Sequence, residues 1–172
     1  MPRLSKRVIR IFVLATLAGS CLHFVYAFLP NPITALFSPV NESLWEHLKI
    51  LFWPGLVSAL ILSRGADRGT LAHRLLSLLV AGAAMLCVGY GYHILLGGES
   101  LAFDIILYVL AMALCFLLPG VFRKPFSAGK RELIVLITAA VGAAILLFTF
   151  LPPAWILFTD LSGANTWSRI PC

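Results

Sequence analysis

Five stretches of this chain are apolar for long enough to cross a membrane as helices, and basic turns separate them in alternation. The first, Ile11 to Leu29, is an apolar run of 19 residues. As a helix it spans about 28 Å, close to the depth of a hydrocarbon core. Four more follow at about 42–62, 71–96, 101–118 and 133–151. Hydrocarbon offers no partner to backbone polar groups, and a helix satisfies them within one segment. The expected fold is therefore all-α: a polytopic membrane helix bundle of five transmembrane helices. It forms a single integral membrane domain over residues 1–172, with a tail from 152 to 172. Only 12% of residues are charged, against roughly 25% in soluble globular chains, so a soluble domain is excluded.

A net charge of +6 would suit nucleic acid, but the positions of the charges argue against it. Arg3, Lys6, Arg7 and Arg10 precede the first span. Arg64, Arg68 and Arg74 flank the second gap, and Arg123, Lys124, Lys130 and Arg131 fill the fourth. Only Lys49 and Arg169 lie elsewhere. Basic residues in alternate gaps follow the positive-inside rule, which puts the N-terminus in the cytoplasm and the C-terminus outside. A basic start before an apolar run also suits a signal peptide. Ala18-Gly19-Ser20-Cys21, however, lacks a leucine three residues before the cysteine, and the apolar run continues through Phe28. A retained first helix is the better reading. Cys21, Cys87 and Cys115 fall inside apolar spans and Cys172 is the last residue. No metal-finger or CxxC spacing exists, and packing thiols are expected.

Pro30-Asn31-Pro32 ends the first helix. Ile33 to Ser38 is apolar but too short to cross, and is expected to be an interfacial segment, following helix one and preceding helix two, that lies at the membrane interface or dips back. Ser38-Pro39 or Asn41 can cap the second helix, and Ser43 with Glu46 has capping-box spacing. Pro54 predicts a kink in that helix. Small residues in the fifth span, Ala139, Ala140, Gly142, Ala143 and Ala144, predict close helix approach. Trp155 and Trp167 suit an outer interfacial tail.

The densest polar stretch is Asn41-Glu42-Ser43-Leu44-Trp45-Glu46-His47-Leu48-Lys49, at the mouth of the second span. On a continuous helix Glu42, Trp45, Glu46 and Lys49 share one face. Sidedness adds to it. Glu42, Glu46, Glu99, Asp104 and Asp160 all fall outside or at outer helix ends. So do His47 and His93, and His23 lies six residues below the outer end of helix one, roughly 9 Å. Each has a plainer reading. Glu42, Glu46 and Asp104 favour the dipole of a helix's first turn, Glu46 and Lys49 pair at i, i+3, and His93 reaches for headgroups. His23 lies deeper and needs a partner. Taken together, His23, Glu42, Glu46, His47, His93 and Asp104 form a candidate outer-leaflet pocket. Neutral imidazoles and carboxylates are ligands for a divalent metal such as zinc, which would activate water. Without metal, Glu46 and His47 are the candidate catalytic acid/base pair. Glu46-His47 is not an HExxH motif, and no nucleophile elbow or phosphate-cradling loop is present.

From Phe37 through Lys49 the chain resembles an uncharacterised family of small bacterial multi-pass membrane proteins, a domain of unknown function with a PVNESxWEHLK signature. The resemblance extends to His23 and Tyr26, to Phe148-Thr149-Phe150-Leu151-Pro152-Pro153, and to Leu157-Phe158-Thr159-Asp160. It implies a histidine directly after the two prolines. Here that residue is Ala154, which puts a metal-binding role for the tail in doubt. The resemblance implies a bacterial cytoplasmic-membrane protein and supplies no activity.

The leading expectation is a membrane protein whose outer pocket binds a divalent metal or polar ligand and acts on a lipid-linked substrate. The alternatives are a non-enzymatic accessory or scaffold subunit and a small transporter. Nucleic acid is not an expected partner; the lipid bilayer is.

Overall fold

The computed structural model describes residues 5–66, 68–122 and 124–162, and every regular element in them is helical. Helix α1 spans Lys6–Phe28, α2 Pro32–Phe37, α3 Leu44–Ser63 and α4 Arg68–Gly89, which continues as a π-helical turn over Tyr90–Leu95. Helix α5 spans Leu101–Leu117 and tightens into a 3₁₀ turn at Leu118–Val121. Helix α6 spans Ala128–Phe150, and a last 3₁₀ turn covers Ile156–Phe158. Helices α1, α3, α4, α5 and α6 are long and apolar enough to cross a membrane. Trp167, Arg169 and Cys172 lie outside the described residues.

Local chemistry explains the helix ends. The Ser5 hydroxyl accepts from the Val8 amide, Ser43 from Glu46 and Ser100 from Phe103, each satisfying an amide that the first turn leaves free. Asn31 caps α2 through a reciprocal pair with Thr34, and Pro32 sits at the first helical position, where its missing N–H costs nothing. Helices α1 and α6 begin more than a turn before their apolar runs. The runs count apolar residues only, whereas the helices, starting after Ser5 and Ser127, also take in Lys6, Arg7 and Arg10 or Lys130 and Arg131. Pro54 lies inside α3, which continues to Ser63.

Helix α3 is the axis of the bundle. Its apolar stretch is 61% buried, against 11–33% for the other four spans, and it packs on all of them and on α2. The core gathers Leu48, Leu51 and Phe52 of α3 with Leu78, Met112 and Ile145 from three other helices. Outward faces such as Leu14, Leu17, Ile106, Leu110 and Leu136 stay exposed, as expected of helices whose outer solvent is lipid. Gly19 and Gly142 sit at close contacts between helices. A Cβ at Gly19 would meet the Ile50 carbonyl and the Tyr108 hydroxyl, and one at Gly142 would touch the Phe52 ring. Of the small residues in α6 only Gly142 serves packing fully; Ala139, Ala140 and Ala143 face outward.

Contacts at the two ends give the helices an up-and-down arrangement. At one end Arg7 of α1 donates to the Ile61 carbonyl of α3, and His73 of α4 meets the Lys124 carbonyl before α6. At the other, His23 of α1 meets His47 of α3, and His93, just past α4, meets Asp104 of α5.

Candidate metal centre

The segment between α2 and α3 is tied down before it reaches the site. The Ser38 hydroxyl donates to the Leu22 carbonyl at 2.5 Å and accepts from the Tyr26 amide at 2.9 Å, stitching the loop to α1 on both sides of His23. Asn41 Oδ1 accepts from the Ser43 amide, and Ser43 opens α3. Glu46 Oε2 accepts from the Val40 amide at 2.9 Å. Only half of a capping box forms, because the Glu46 carboxylate turns to Val40 and Lys49 and leaves the Ser43 amide to Asn41.

This clamping sends the motif's polar groups in two directions. Because α3 begins at Leu44, Glu42 stands ahead of the helix and does not share a face with Glu46 and Lys49. Glu42 turns toward α1 instead. Its Oε2 lies 3.2 Å from His47 Nε2 and 3.6 Å from His23 Nε2, and the two imidazole nitrogens are 3.2 Å apart. His23, Glu42 and His47 therefore present one ligand atom each to a common point. Ligand atoms around a tetrahedral zinc ion stand roughly 3.3–3.6 Å from one another, whereas adjacent positions of an octahedral ion with similar bonds stand about 3.0 Å apart. The observed edges of 3.2, 3.2 and 3.6 Å lie nearer the tetrahedral spacing than the octahedral one.

The ring orientations agree. His47 Nδ1–H donates to the Ser43 carbonyl at 2.8 Å, so the neutral ring keeps its lone pair on Nε2, facing the triangle. This outer contact has no signal in the sequence beyond its i, i−4 spacing. His23 Nδ1 is buried without a partner among the described residues. Glu42 is half-exposed, so the triangle opens to the outside of the bundle. The His23 imidazole, and after it that of His47, hold the Glu42 carboxyl far below the usual carboxylate range. The group could hold a metal ion.

The other predicted site residues go elsewhere. Glu46 forms a buried ion pair with Lys49 at 2.5 Å, and the Lys49 ammonium also donates to the Ala35 and Ser38 carbonyls. His93 pairs with Asp104 at 2.7 Å and donates from Nδ1 to the Gly98 carbonyl at 2.9 Å. That pair is separate from the triangle but within electrostatic reach of His47. Ala154, after the two prolines, is exposed. Asp160 comes close to the Glu42 backbone. Burial would raise its carboxyl, but the amide and hydroxyl of Ser162 and the Glu42 amide outweigh this and lower it.

The sequence offered Ser38 only as a helix cap, whereas in the structure it fixes the loop against α1. A serine before Pro39 carries no sign of a partner 16 residues back.

No curated protein and no solved structure matches the chain. A family described as a family of unknown function, DUF6512, matches residues 2–165, nearly the whole sequence, and the chain belongs to that family.

Proposed function

We propose that this protein crosses the membrane five times, N-terminus in the cytoplasm and C-terminus outside, and carries a divalent-metal centre of His23, Glu42 and His47 at its outer face. Zinc is the best match. The observation that supports this is the triangle of ligand atoms with edges of 3.2, 3.2 and 3.6 Å. Three protein ligands with one position left open is the pattern of reactive rather than structural zinc sites. An ion held there would polarise a substrate oxygen and lower the pKa of water.

The chain's own groups do the rest. The Ser43 carbonyl fixes the tautomer and direction of His47, and Glu42 brings the negative charge that favours a cation. The His93–Asp104 pair on the flank can give or take a proton, a role that Glu46, occupied by Lys49 and Val40, is less free to play. Phe24 and Phe28 of α1, one and five residues past His23, are exposed. A substrate anchored in the outer leaflet reaches the centre without leaving the bilayer, which fits hydrolysis or transfer on a lipid-linked or other small polar compound in a bacterial cytoplasmic membrane.

One observation favours a second reading. The His47–Glu42 distance of 3.2 Å also belongs to a hydrogen-bonded structural cluster, which would suit a non-enzymatic accessory subunit. Transport has less support, because beneath His23 the helices close on Ala15, Gly19, Ile50 and Tyr108.

Metal analysis of gently purified protein, reconstituted with zinc and passed through a desalting step, separates the first two readings. The metal centre predicts about one ion per chain. Loss of a supporting group typically weakens a site by about 10–100-fold, so Glu42→Gln and His47→Ala, which remove ligands, are expected to lose at least that much affinity. Wild-type protein that retains no ion, with stability equal to that of both variants, sinks the metal reading.

A further inference from the structure

At the opposite, basic end of the bundle a second set of polar groups is left without partners. Arg74, two turns into α4, lines a cleft with Gly55, Ser58, Ala59, Leu62, Cys115 and Phe116. Among the described residues its Nε is buried with no hydrogen-bond partner, and so is the hydroxyl of Ser63, next in sequence to the lining residue Leu62. Among the described residues no carboxylate lies within ion-pair distance of Arg74 or of Arg7, whose charge reaches Arg74. Arg7 uses its guanidinium on the Ile61 carbonyl. A cation inside a membrane span is expensive unless paired, and a second cation nearby raises the cost.

Guanidinium N–H groups can only donate, and the serine hydroxyls have protons to give. What is missing is a strong acceptor with negative charge, and phosphate oxygens suit an arginine fork best. The cleft floor has room for about one water-sized group, so a single oxygen can enter while the bulk of the ligand stays at the mouth. We propose that this cleft, at the end of the bundle where the basic residues gather, binds a phosphate group through Arg74, with Ser58 beside it. An anionic phospholipid headgroup is the nearest source in a bilayer, and free phosphate carries the same chemistry.

The test uses the full-length protein in neutral detergent and phosphate-free buffer, with thermal unfolding followed by tryptophan fluorescence. The probes are short-chain phosphatidylglycerol, inorganic phosphate, and a monoacylglycerol of the same chain length that has no phosphate. A saturating phosphate ligand is expected to raise the midpoint by roughly 5 °C or more, with Arg74→Gln losing most of the rise and monoacylglycerol giving none. A rise with phosphatidylglycerol alone assigns the site to lipid, and an equal rise with inorganic phosphate assigns it to the free anion. No rise with either, or a rise undiminished in Arg74→Gln, overturns the proposal. Where that variant does not fold, Arg74→Lys and Ser58→Ala replace it, and an unchanged response in both overturns the proposal equally.

Discussion

Lys49 is fully buried, and its three protons go to Glu46, the Ala35 carbonyl and the Ser38 carbonyl. One side chain thus holds α2, the loop and the first turn of α3 together, while Glu42 and His47 from the same nine residues are left to face His23. Removing one partner of a buried pair strands the other charge, at a typical cost of about 3–5 kcal/mol. Lys49→Met is therefore expected to lower the unfolding midpoint sharply, and adding Glu46→Gln to recover part of the loss, in denaturation scans of the detergent-solubilised protein. A double variant no more stable than Lys49→Met would mean that the stranded carboxylate is not what costs the energy. Glu42 makes a different prediction. Its carboxyl is held below its ordinary value of 4.5, so the stability it contributes to metal-free protein is present above that pH and is lost as pH falls further. Glu42→Gln should flatten the acid limb of a stability–pH curve below about 4.5.

Among the elements, the approach of α1 to α3 decides whether the triangle forms, since His23 rides on one and His47 on the other. Gly19, one turn before His23, lets them close: a Cβ there would meet the Ile50 carbonyl and the Tyr108 hydroxyl, which itself donates to the Thr16 carbonyl at 2.8 Å. Backbone cannot give way as a flexible side chain does. Gly19→Leu should cost at least the 1–3 kcal/mol typical of overpacking and weaken zinc retention, although the residue touches no ligand. Retention equal to wild type in a folded Gly19→Leu protein would separate the site from the α1–α3 distance. The π-helical turn at Tyr90–Leu95 does similar work for His93. It leads into the turn at Gly97, whose φ of +65° suits glycine, and brings the Gly98 carbonyl to His93 Nδ1.

Across the whole molecule, the ends of five apolar helices separate the polar groups: among the described residues most imidazoles and carboxylates lie at one end, His73 and Glu132 excepted, and most of the arginines and lysines at the other. The proposed sidedness predicts that a reporter active only outside the cytoplasmic membrane works when fused after residue 162 and fails when fused in the turn around Gly65. The reverse pattern would put the triangle on the cytoplasmic side. The spans themselves were legible in the sequence, because membrane partition sums transfer free energies over about twenty side chains and hardly depends on what those side chains touch. The gathering of His23, Glu42, His47, His93 and Asp104 at one end follows from the same count of crossings. Which of them meet does not. Glu42 leaves the company of Glu46 because Ser43, not Asn41, caps α3, and a shift of that size exchanges its partners. Glu46 does pair with Lys49 at the i, i+3 spacing visible in the sequence. The Ala35 and Ser38 carbonyls that complete that pair, and the turn that brings His93 to Asp104, are announced by no periodicity. Hydropathy adds up residue by residue along the chain. A site depends on ångström-scale distances between helices, and only the packing around α3 sets those.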